Sequence, residues 1–175
     1  MTDPDPKRLA YADPPYVGLA HYYDHPESSL WNEPEAHVDL MRRLDDEYDG
    51  WALSLHTPAL RALLPEAPER VRVAAWVKPF AAFKANVRIA YAWEPVIFAP
   101  ARLGSSSGAA VGRDYLSAPI TQQRSMIGAK PAAFMRWVLD LLGYVEGDEV
   151  DDLFPGSAIM ARVLTQTQLV LETEG

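Results

Sequence analysis

The stretch Leu9-Ala10-Tyr11-Ala12-Asp13-Pro14-Pro15-Tyr16 decides the fold of this chain, because an apolar run meets a rigid stop. Residues 8–13 have the composition of a short strand. Each proline fixes its own φ and lacks a backbone N–H, so neither a helix nor a central strand continues past them. The result is a stiff loop at a strand end, where carbonyl oxygens, a carboxylate and an aromatic ring come together. Such a loop can accept hydrogen bonds from an amino group and stack that group's ring on Tyr16.

The rest of the chain alternates between strand and helix patterns. Apolar residues at helical spacing predict a helix over 35–48, and a second amphipathic segment predicts another over 131–142. The Thr57-Pro58 step is typical of a helix start, which predicts a short helix to about Leu64. Strands separated by helices indicate a doubly wound α/β sheet. We predict strands at 8–13, 51–55, 71–77, 91–99 (one strand or a pair), 149–154 and 168–172, a flexible loop at 104–108 and a short helix at 157–164.

Length and composition set the class of protein. A chain of 175 residues that is 49% hydrophobic and 23% charged fits one globular domain over 1–175. No run of about 18 uncharged apolar residues occurs, so we expect no membrane span. The acidic start has no hydrophobic signal region, which favours the cytoplasm over export. Cysteine is absent, which excludes disulfides, and Pro26 beside the His21 and His25 pair argues against zinc, so we expect no metal site.

The net charge of −8 hides an uneven distribution. Residues 1–69 contain 14 acids and 5 bases, residues 70–136 contain 2 acids and 10 bases, and residues 137–175 contain 8 acids and 1 base. A basic middle between acidic ends predicts one face that meets an anion, unless folding interleaves these charges into a mixed surface. The predicted phosphate partners are the basic residues Lys78, Lys84, Arg88, Arg102, Arg113 and Arg124.

A second informative segment lies near the other end of the chain. Val150-Asp151-Asp152-Leu153-Phe154-Pro155-Gly156-Ser157 has the pattern of a strand that enters a glycine turn and then a helix. A glycine in such a turn lets the backbone approach a ligand closely at the carboxyl edge of a sheet. Glu172, at the end of the next predicted strand, could accept both hydroxyls of a ribose. An ordinary strand-to-helix turn would have the same composition.

Both segments resemble motifs of the amino-group methyltransferases that act on N6 of adenine or N4 of cytosine. Asp13-Pro14-Pro15-Tyr16 resembles their catalytic motif. Residues 152–158 resemble their Asp-x-Phe-x-Gly-x-Gly cofactor loop, which holds S-adenosylmethionine, with Ala158 in place of the last glycine. The side chain of Ala158 could crowd the cofactor.

Three further segments are similar to the same family. Lys130-Pro131, at the start of a predicted helix, resembles the Lys-Pro helix that precedes the cofactor loop. Trp76-Val77-Lys78-Pro79 and residues 93–98 are similar to core strands of the N6-adenine branch. The resemblance spans residues 8–174 and implies a circularly permuted Rossmann-like methyltransferase sheet, with the catalytic loop first and the cofactor loop last.

The resemblance implies transfer of a methyl group from S-adenosylmethionine to the N6 amine of adenine in DNA, after the base has left the stack. The amine would donate hydrogen bonds to the Asp13 carboxylate and the Pro14 carbonyl, while Tyr16 stacks on the base. Catalysis would then rest on alignment and electrostatics, without a metal. The implied catalytic residues are Asp13, Pro14, Pro15 and Tyr16, and the implied cofactor-binding residues are Lys130, Asp152, Phe154, Gly156, Ser157 and Glu172.

Residues 100–125 occupy the place where family members carry target-recognition sequence, and this basic segment is small. An elaborate recognition site would therefore need a partner subunit or a homodimer, and the bound strand could be DNA or RNA. Two alternatives stay open. The chain could be a degenerate methyltransferase that serves as a binding or regulatory protein, or an enzyme that methylates a free base, nucleotide or other small amine.

Overall fold

The computed structural model describes residues 5–18, 28–79, 88–103, 112–120, 130–156 and 158–174, with side chains described to residue 166. Within these ranges, six strands form one sheet in the order β5-β3-β4-β2-β1-β6. The strands are β1 (Arg8–Ala12), β2 (Gly50–Ser54), β3 (Arg72–Val77), β4 (Trp93–Ala99), β5 (Tyr115–Ser117) and β6 (Glu149–Asp152).

The direction of the strands brings most of their ends to one side. β1 is parallel to β2 and β6, β4 is antiparallel to β2 and β3, and β3 is parallel to β5. All strands except β4 therefore end at the same edge, where β4 begins. We call this the site edge and the opposite one the far edge. Ligands of open α/β sheets bind outside the carboxyl ends of the strands, so the site edge is the place to look for function.

Helices cover both faces of the sheet. They are α1 (Pro34–Glu47), α2 (Leu60–Leu63), α3 (Ala132–Leu142) and α4 (Ile159–Glu174). Alternate residues of each strand point to opposite faces. In β1, Leu9 and Tyr11 are buried with α3 and α4, whereas Ala10 and Ala12 are buried with α1 and α2. This arrangement confirms the predicted doubly wound α/β sheet.

Most predicted elements are present within a residue or two of their expected bounds. The helix start at Thr57-Pro58 forms as a short 3₁₀ turn, Thr57–Ala59, which runs into α2. The α3 helix ends at Gly143, which adopts the left-handed conformation at φ 72°. The region 91–99 is a single strand, and β5 was not predicted because three partly exposed residues carry no clear pattern. The loop at 104–108 lies outside the described residues.

The predicted last strand at 168–172 is wrong. These residues belong to α4, which continues without a break to Glu174. No glycine or proline lies between Ile159 and Glu174, so nothing in the sequence stops the helix once it has started. Met160 and Val163 anchor its first turns by packing into the core. None of the helices in the described ranges is long and apolar enough to cross a membrane.

Candidate active site

Four charged side chains from distant parts of the chain meet at the site edge. Asp13 follows β1, Lys78 follows β3, Glu94 is the second residue of β4, and Lys130 precedes α3. The Lys130 ammonium lies 2.9 and 2.7 Å from the two carboxylate oxygens of Asp13 and 3.6 Å from Oε2 of Glu94. Lys78 donates to the other oxygen of Glu94. These four residues, which we call the charged cluster, hold two positive and two negative groups.

The Lys130 ammonium is desolvated and surrounded by compensating groups. Its side chain is only 6% exposed. The rings of Tyr16, Trp76 and Phe134 lie 5.6, 5.8 and 5.8 Å from Nζ, within the range of cation–π attraction. The resemblance places Lys130 with the cofactor, whereas the structure places its ammonium against the catalytic loop.

The two carboxylates of the charged cluster have different surroundings. Burial of Glu94 opposes its ionisation, but the positive charges of Lys130 and Lys78 outweigh burial and lower its pKa. The Asp13 side chain is 24% exposed and so remains open to a ligand. Each carboxylate oxygen has two lone pairs, so Asp13 can accept further hydrogen bonds while it is paired with Lys130.

Tyr16 is bound into the charged cluster through its hydroxyl. Its oxygen lies 3.1 Å from Oε2 of Glu94 and 3.3 Å from Oδ1 of Asp13, and it accepts a hydrogen bond from Lys130 at 3.2 Å. Burial, followed by the negative charge of Asp13 and Glu94, raises its pKa well above the ordinary value. Its ring stacks nearly parallel on His56, with centroids 5.7 Å apart. One ring face is therefore occupied, and stacking of a base on Tyr16 stays a prediction.

The predicted cofactor loop lies beside the catalytic loop, because β6 pairs with β1 and Asp152 is in register with Tyr11. Burial raises the pKa of Asp152, the Phe154 N–H opposes this at 3.3 Å, and the nearby Asp13 adds to it. A side-chain carbon added at Gly156 would meet no atom within 4 Å.

Ala158, where the family pattern has glycine, adopts φ 50° and is the one non-glycine residue in the described ranges with a positive φ. The backbone at this position therefore has a conformation typical of glycine, although the residue is alanine. Ser157 lies outside the described residues.

Glu172 does not have the position that the sequence predicted. It lies in α4 rather than at the end of a strand. The reason for assigning it to the ribose was its place at a strand end, and that reason is lost because the helix continues.

The predicted basic face is not assembled as expected. Arg102 is committed to Asp148, with two hydrogen bonds of 2.7 and 2.8 Å, and lies at the far edge, where β4 ends and β6 begins. Arg113 precedes β5, also at the far edge, and donates to the Tyr115 hydroxyl. Lys78 is part of the charged cluster instead of a free phosphate partner.

Among the other predicted phosphate partners, Arg88 is exposed and lies in the connection between β3 and β4, which leaves and re-enters the sheet at the site edge. Lys84, Arg124 and half of segment 100–125 fall outside the described residues. The structure thus brings Lys78 to the site and separates Arg102 and Arg113 from it.

Sequence reasoning missed two residues of this site. Glu94 stands in a segment that resembles a core strand, and His56 is the second residue after the end of β2. The signal that could have found them is position, because polar residues at the carboxyl ends of parallel strands converge on one edge. This signal would not find Glu94, because Glu94 lies at the start of a strand. It reaches the same edge only because β4 runs antiparallel to its neighbours. No group of metal-ligating side chains large enough to hold an ion occurs in the described ranges.

Comparison with solved structures agrees with the fold. The chain is similar to the crystal structure of the M1.HpyAVI–SAM complex, with a TM-score of 0.54, 13% identity, and coverage of 93% of this chain and 80% of that chain. No family model matches the sequence, and no curated protein matches it significantly. The chain thus shares the fold of that protein, a Rossmann-like α/β sheet, and the permuted order of its motifs stays a prediction.

Proposed function

We propose that this protein transfers a methyl group from S-adenosylmethionine to an exocyclic amine, and that the amine is N6 of adenine in DNA. One observation carries the proposal. The Asp-Pro-Pro-Tyr loop and the Gly156 turn follow neighbouring parallel strands, β1 and β6, at the same edge of the sheet. The same fold occurs in M1.HpyAVI, a protein solved in complex with SAM.

The described residues fit the cofactor. The space beside Gly156 is open, and a larger side chain there would fill it. Asp152 is half-buried at the end of β6, where its carboxylate can accept hydrogen bonds. When bound, S-adenosylmethionine supplies a methyl group made electrophilic by a positively charged sulfur. Asp152, Phe154, Gly156 and Ser157 are the residues that would hold it.

Asp13 and the loop prolines prepare the amine. The nitrogen of an exocyclic amine is a poor nucleophile because its lone pair is delocalised into the ring. Donation of its two N–H groups to the Asp13 carboxylate and the Pro14 carbonyl favours a tetrahedral nitrogen with an available lone pair. With the cofactor held by these residues, its methyl group would be transferred to that nitrogen, and the proton that the nitrogen then gives up would pass to solvent through the partly exposed Asp13 carboxylate, which accepts one of its N–H groups.

The charged cluster favours a neutral amine as the acceptor. Two lysines and two carboxylates balance one another there. A protonated alkylamine would add an unpaired charge to a partly buried site, which is costly, and it has no lone pair to offer. The amino group of a nucleobase is neutral at pH 7, so it suits this site better.

The far-edge position of Arg102 and Arg113 favours a second candidate, methylation of a free nucleotide or small aromatic amine. Without these two arginines, the described part of the site edge offers few charges for a long nucleic acid. The amine-accepting loop and the cofactor loop would keep the same roles.

The test is incubation with adenine-containing DNA, or with adenosine monophosphate, and methyl-deuterated S-adenosylmethionine, followed by mass spectrometry of the nucleosides. We expect deuterated N6-methyldeoxyadenosine from the DNA. Asp13→Asn, which removes the charge at nearly constant shape, should abolish the label. Asp39→Asn, on the exposed face of α1, is the matched control.

Each other outcome of this test identifies an alternative. Label in the free nucleotide alone would favour the second candidate. Calorimetric binding of S-adenosylmethionine without any label would identify a degenerate methyltransferase, and an Asp13→Asn variant as active as the wild type would exclude the proposed role of the loop.

A further inference from the structure

A buried histidine contacts the catalytic loop from the α1 side of the sheet, opposite the helix that follows Lys130. His37, in the first turns of α1, is 1% exposed. Its Nε2 lies 3.2 Å from the carbonyl oxygen of Pro15, and its Nδ1 lies 3.4 Å from the carbonyl oxygen of Glu33. Neither the sequence motifs nor the proposed chemistry uses this residue.

The contact with Pro15 is a hydrogen bond that the imidazole donates. Burial lowers the pKa of His37, so near neutral pH its ring is uncharged and carries one N–H. We assign that hydrogen to Nε2, because its contact with the Pro15 carbonyl, at 3.2 Å, is shorter than the 3.4 Å contact of Nδ1 with the Glu33 carbonyl.

A bond to the Pro15 carbonyl also orients the atoms that would accept the amine. The Pro15 ring fixes its own φ, so one free torsion, ψ of Pro15, separates its carbonyl from the Pro14 carbonyl. A donor that holds the Pro15 carbonyl therefore restrains the direction of the Pro14 carbonyl to rotation about this one torsion, and with it restrains the loop that carries Asp13. Because the two prolines lack an N–H, the loop cannot donate backbone hydrogen bonds at these two positions.

The imidazole is itself held by an aromatic contact that leads to the second loop. Trp31 packs edge-on against His37, with centroids 5.4 Å apart at 82°. The same indole packs edge-on against Phe154 of the predicted cofactor loop, at 5.2 Å and 80°. Such aromatic pairs have a preferred geometry, so Trp31 restrains the plane of the imidazole.

We propose that His37 is a positioning residue, whose Nε2–H holds the Pro15 carbonyl and thereby aims the Pro14 carbonyl and the Asp13 carboxylate at the acceptor amine. The consequence for methyl transfer rests on the proposed function, whereas the consequence for the loop itself does not.

Two variants of the full chain separate the hydrogen bond from packing. His37→Phe keeps a ring against Trp31 but has no N–H, and His37→Gln keeps an N–H of similar reach without the ring. Amide hydrogen exchange at Tyr16 and Val17 reports on the loop. Methyl transfer to an adenine-containing oligonucleotide gives kcat and KM, and calorimetry gives the Kd of S-adenosylmethionine.

We expect His37→Phe to speed amide exchange at Tyr16 and Val17 roughly tenfold, because the loop loses a hydrogen bond. Its kcat should fall on the order of 10- to 100-fold, since misplacement of a positioned group by about an ångström has that cost. The Kd of S-adenosylmethionine should stay near the wild-type value. His37→Gln should restore both exchange and kcat most of the way.

Wild-type exchange and kcat in His37→Phe would overturn the inference. So would a His37→Gln variant as impaired as His37→Phe, because the loss would then come from packing. If the wild-type protein transfers no methyl group while His37→Phe alone speeds exchange, the proposed function fails and the positioning contact stands.

Discussion

Tyr16 shows how one residue can hold several partners at once. Its hydroxyl lies between Glu94 and Asp13, while its ring rests on His56. The hydroxyl joins carboxylates that come from different strands, so it fixes their separation. A residue expected only to stack on a base thus also shapes the site that would accept the amine.

Tyr16→Phe separates these two roles. The ring and its contact with His56 are kept, but a hydrogen bond to charged groups worth about 1.5–3 kcal/mol is lost. We expect kcat for methyl transfer to fall roughly 10- to 100-fold with an unchanged Kd for S-adenosylmethionine. Tyr115→Phe, at the far edge, is the matched control and should behave as wild type. Equal kcat in Tyr16→Phe and the wild type would show that the Tyr16 hydroxyl does not contribute to methyl transfer, and only a role for the ring would be left.

Ala158→Gly tests the strain in the cofactor loop. Ala158 adopts φ 50°, a conformation that costs an alanine about 1–2 kcal/mol and a glycine almost nothing. The change to glycine also lowers the free energy of unfolding by about 0.4–1 kcal/mol, because glycine gives the unfolded chain more conformational freedom. We therefore expect the free energy of unfolding, measured with urea, to rise by roughly 0.5–1 kcal/mol.

Ala133→Gly is the control for this change. It lies on the exposed face of α3, in the first turn, and should lower the free energy of unfolding by up to about 1 kcal/mol. If both glycine variants lowered stability alike, Ala158 would not be strained.

At the scale of elements, α4 differs most from its expectation. The sequence predicts a short helix, a connection at 165–167 and a strand, whereas one helix occupies all of these residues. Arg136 of α3 donates to Gln166 of α4 at 3.0 Å, so the two helices are linked beyond the expected helix end.

Gln166→Pro distinguishes the continuous helix from the predicted connection. Proline in a helix interior removes a hydrogen bond and clashes with the preceding turn, at a cost of about 3 kcal/mol or more. We expect a loss of that size in urea unfolding. Gln166→Ala removes the contact with Arg136 but keeps the helix, so its effect should be small. If Gln166→Pro were as stable as the wild type, the result would favour the predicted connection at 165–167 over a continuous helix.

The pair of Arg102 and Asp148 joins several elements at the far edge. Asp148 accepts hydrogen bonds from the N–H groups of Lys7 and Val145 besides those from Arg102, and its side chain is fully buried. Burial opposes its ionisation, but the bonds from Arg102 and the two backbone groups outweigh burial and lower its pKa.

Asp148→Asn should therefore give a pH-dependent loss of stability. Because the pKa of Asp148 is lower in the folded protein, its stabilisation is complete above the unfolded value of about 3.9 and is lost as the pH falls through the folded value. At pH 7 we expect the variant to lose about 3 kcal/mol, since Arg102 is left unpaired. The free energies of unfolding of the variant and the wild type should converge as the pH falls below about 4. A difference that does not change with pH would contradict the pairing of Asp148 with Arg102.

Considered as a whole molecule, the protein distributes its positive charge between the two edges of the sheet. Arg88 stands in the connection at the site edge, and Arg113 stands at the far edge, both exposed. A nucleic acid whose base reaches Asp13 passes the site edge, so only one of these arginines is in a position to meet its phosphates.

Arg88→Ala and Arg113→Ala form a matched pair for this expectation. Neutralising a phosphate contact should reduce the slope of log affinity against log salt by about 1. We expect that change for DNA binding by Arg88→Ala and an unchanged slope for Arg113→Ala. The same reduction in both variants would place the nucleic acid elsewhere, and an unchanged slope in both would favour the small-molecule candidate.

The sequence by itself determined the elements with strong local signals. Two consecutive prolines end β1 wherever that strand lies, and Gly143 ends α3 because it tolerates a left-handed conformation. The alternation of strands and helices was enough to predict an α/β sheet covered on both faces. These features depend on residues close together in the chain, so local physics decides them.

The tertiary structure alone decided which charges meet. Lys130 lies against Asp13, 117 residues away in sequence, because the start of α3 and the end of β1 come to the same edge. Arg102 and Lys78 look alike in the sequence, yet one binds Asp148 at the far edge and the other binds Glu94 in the site. The reason is strand direction, since β4 runs against its neighbours, and no local pattern specifies which edge of the sheet a residue will occupy.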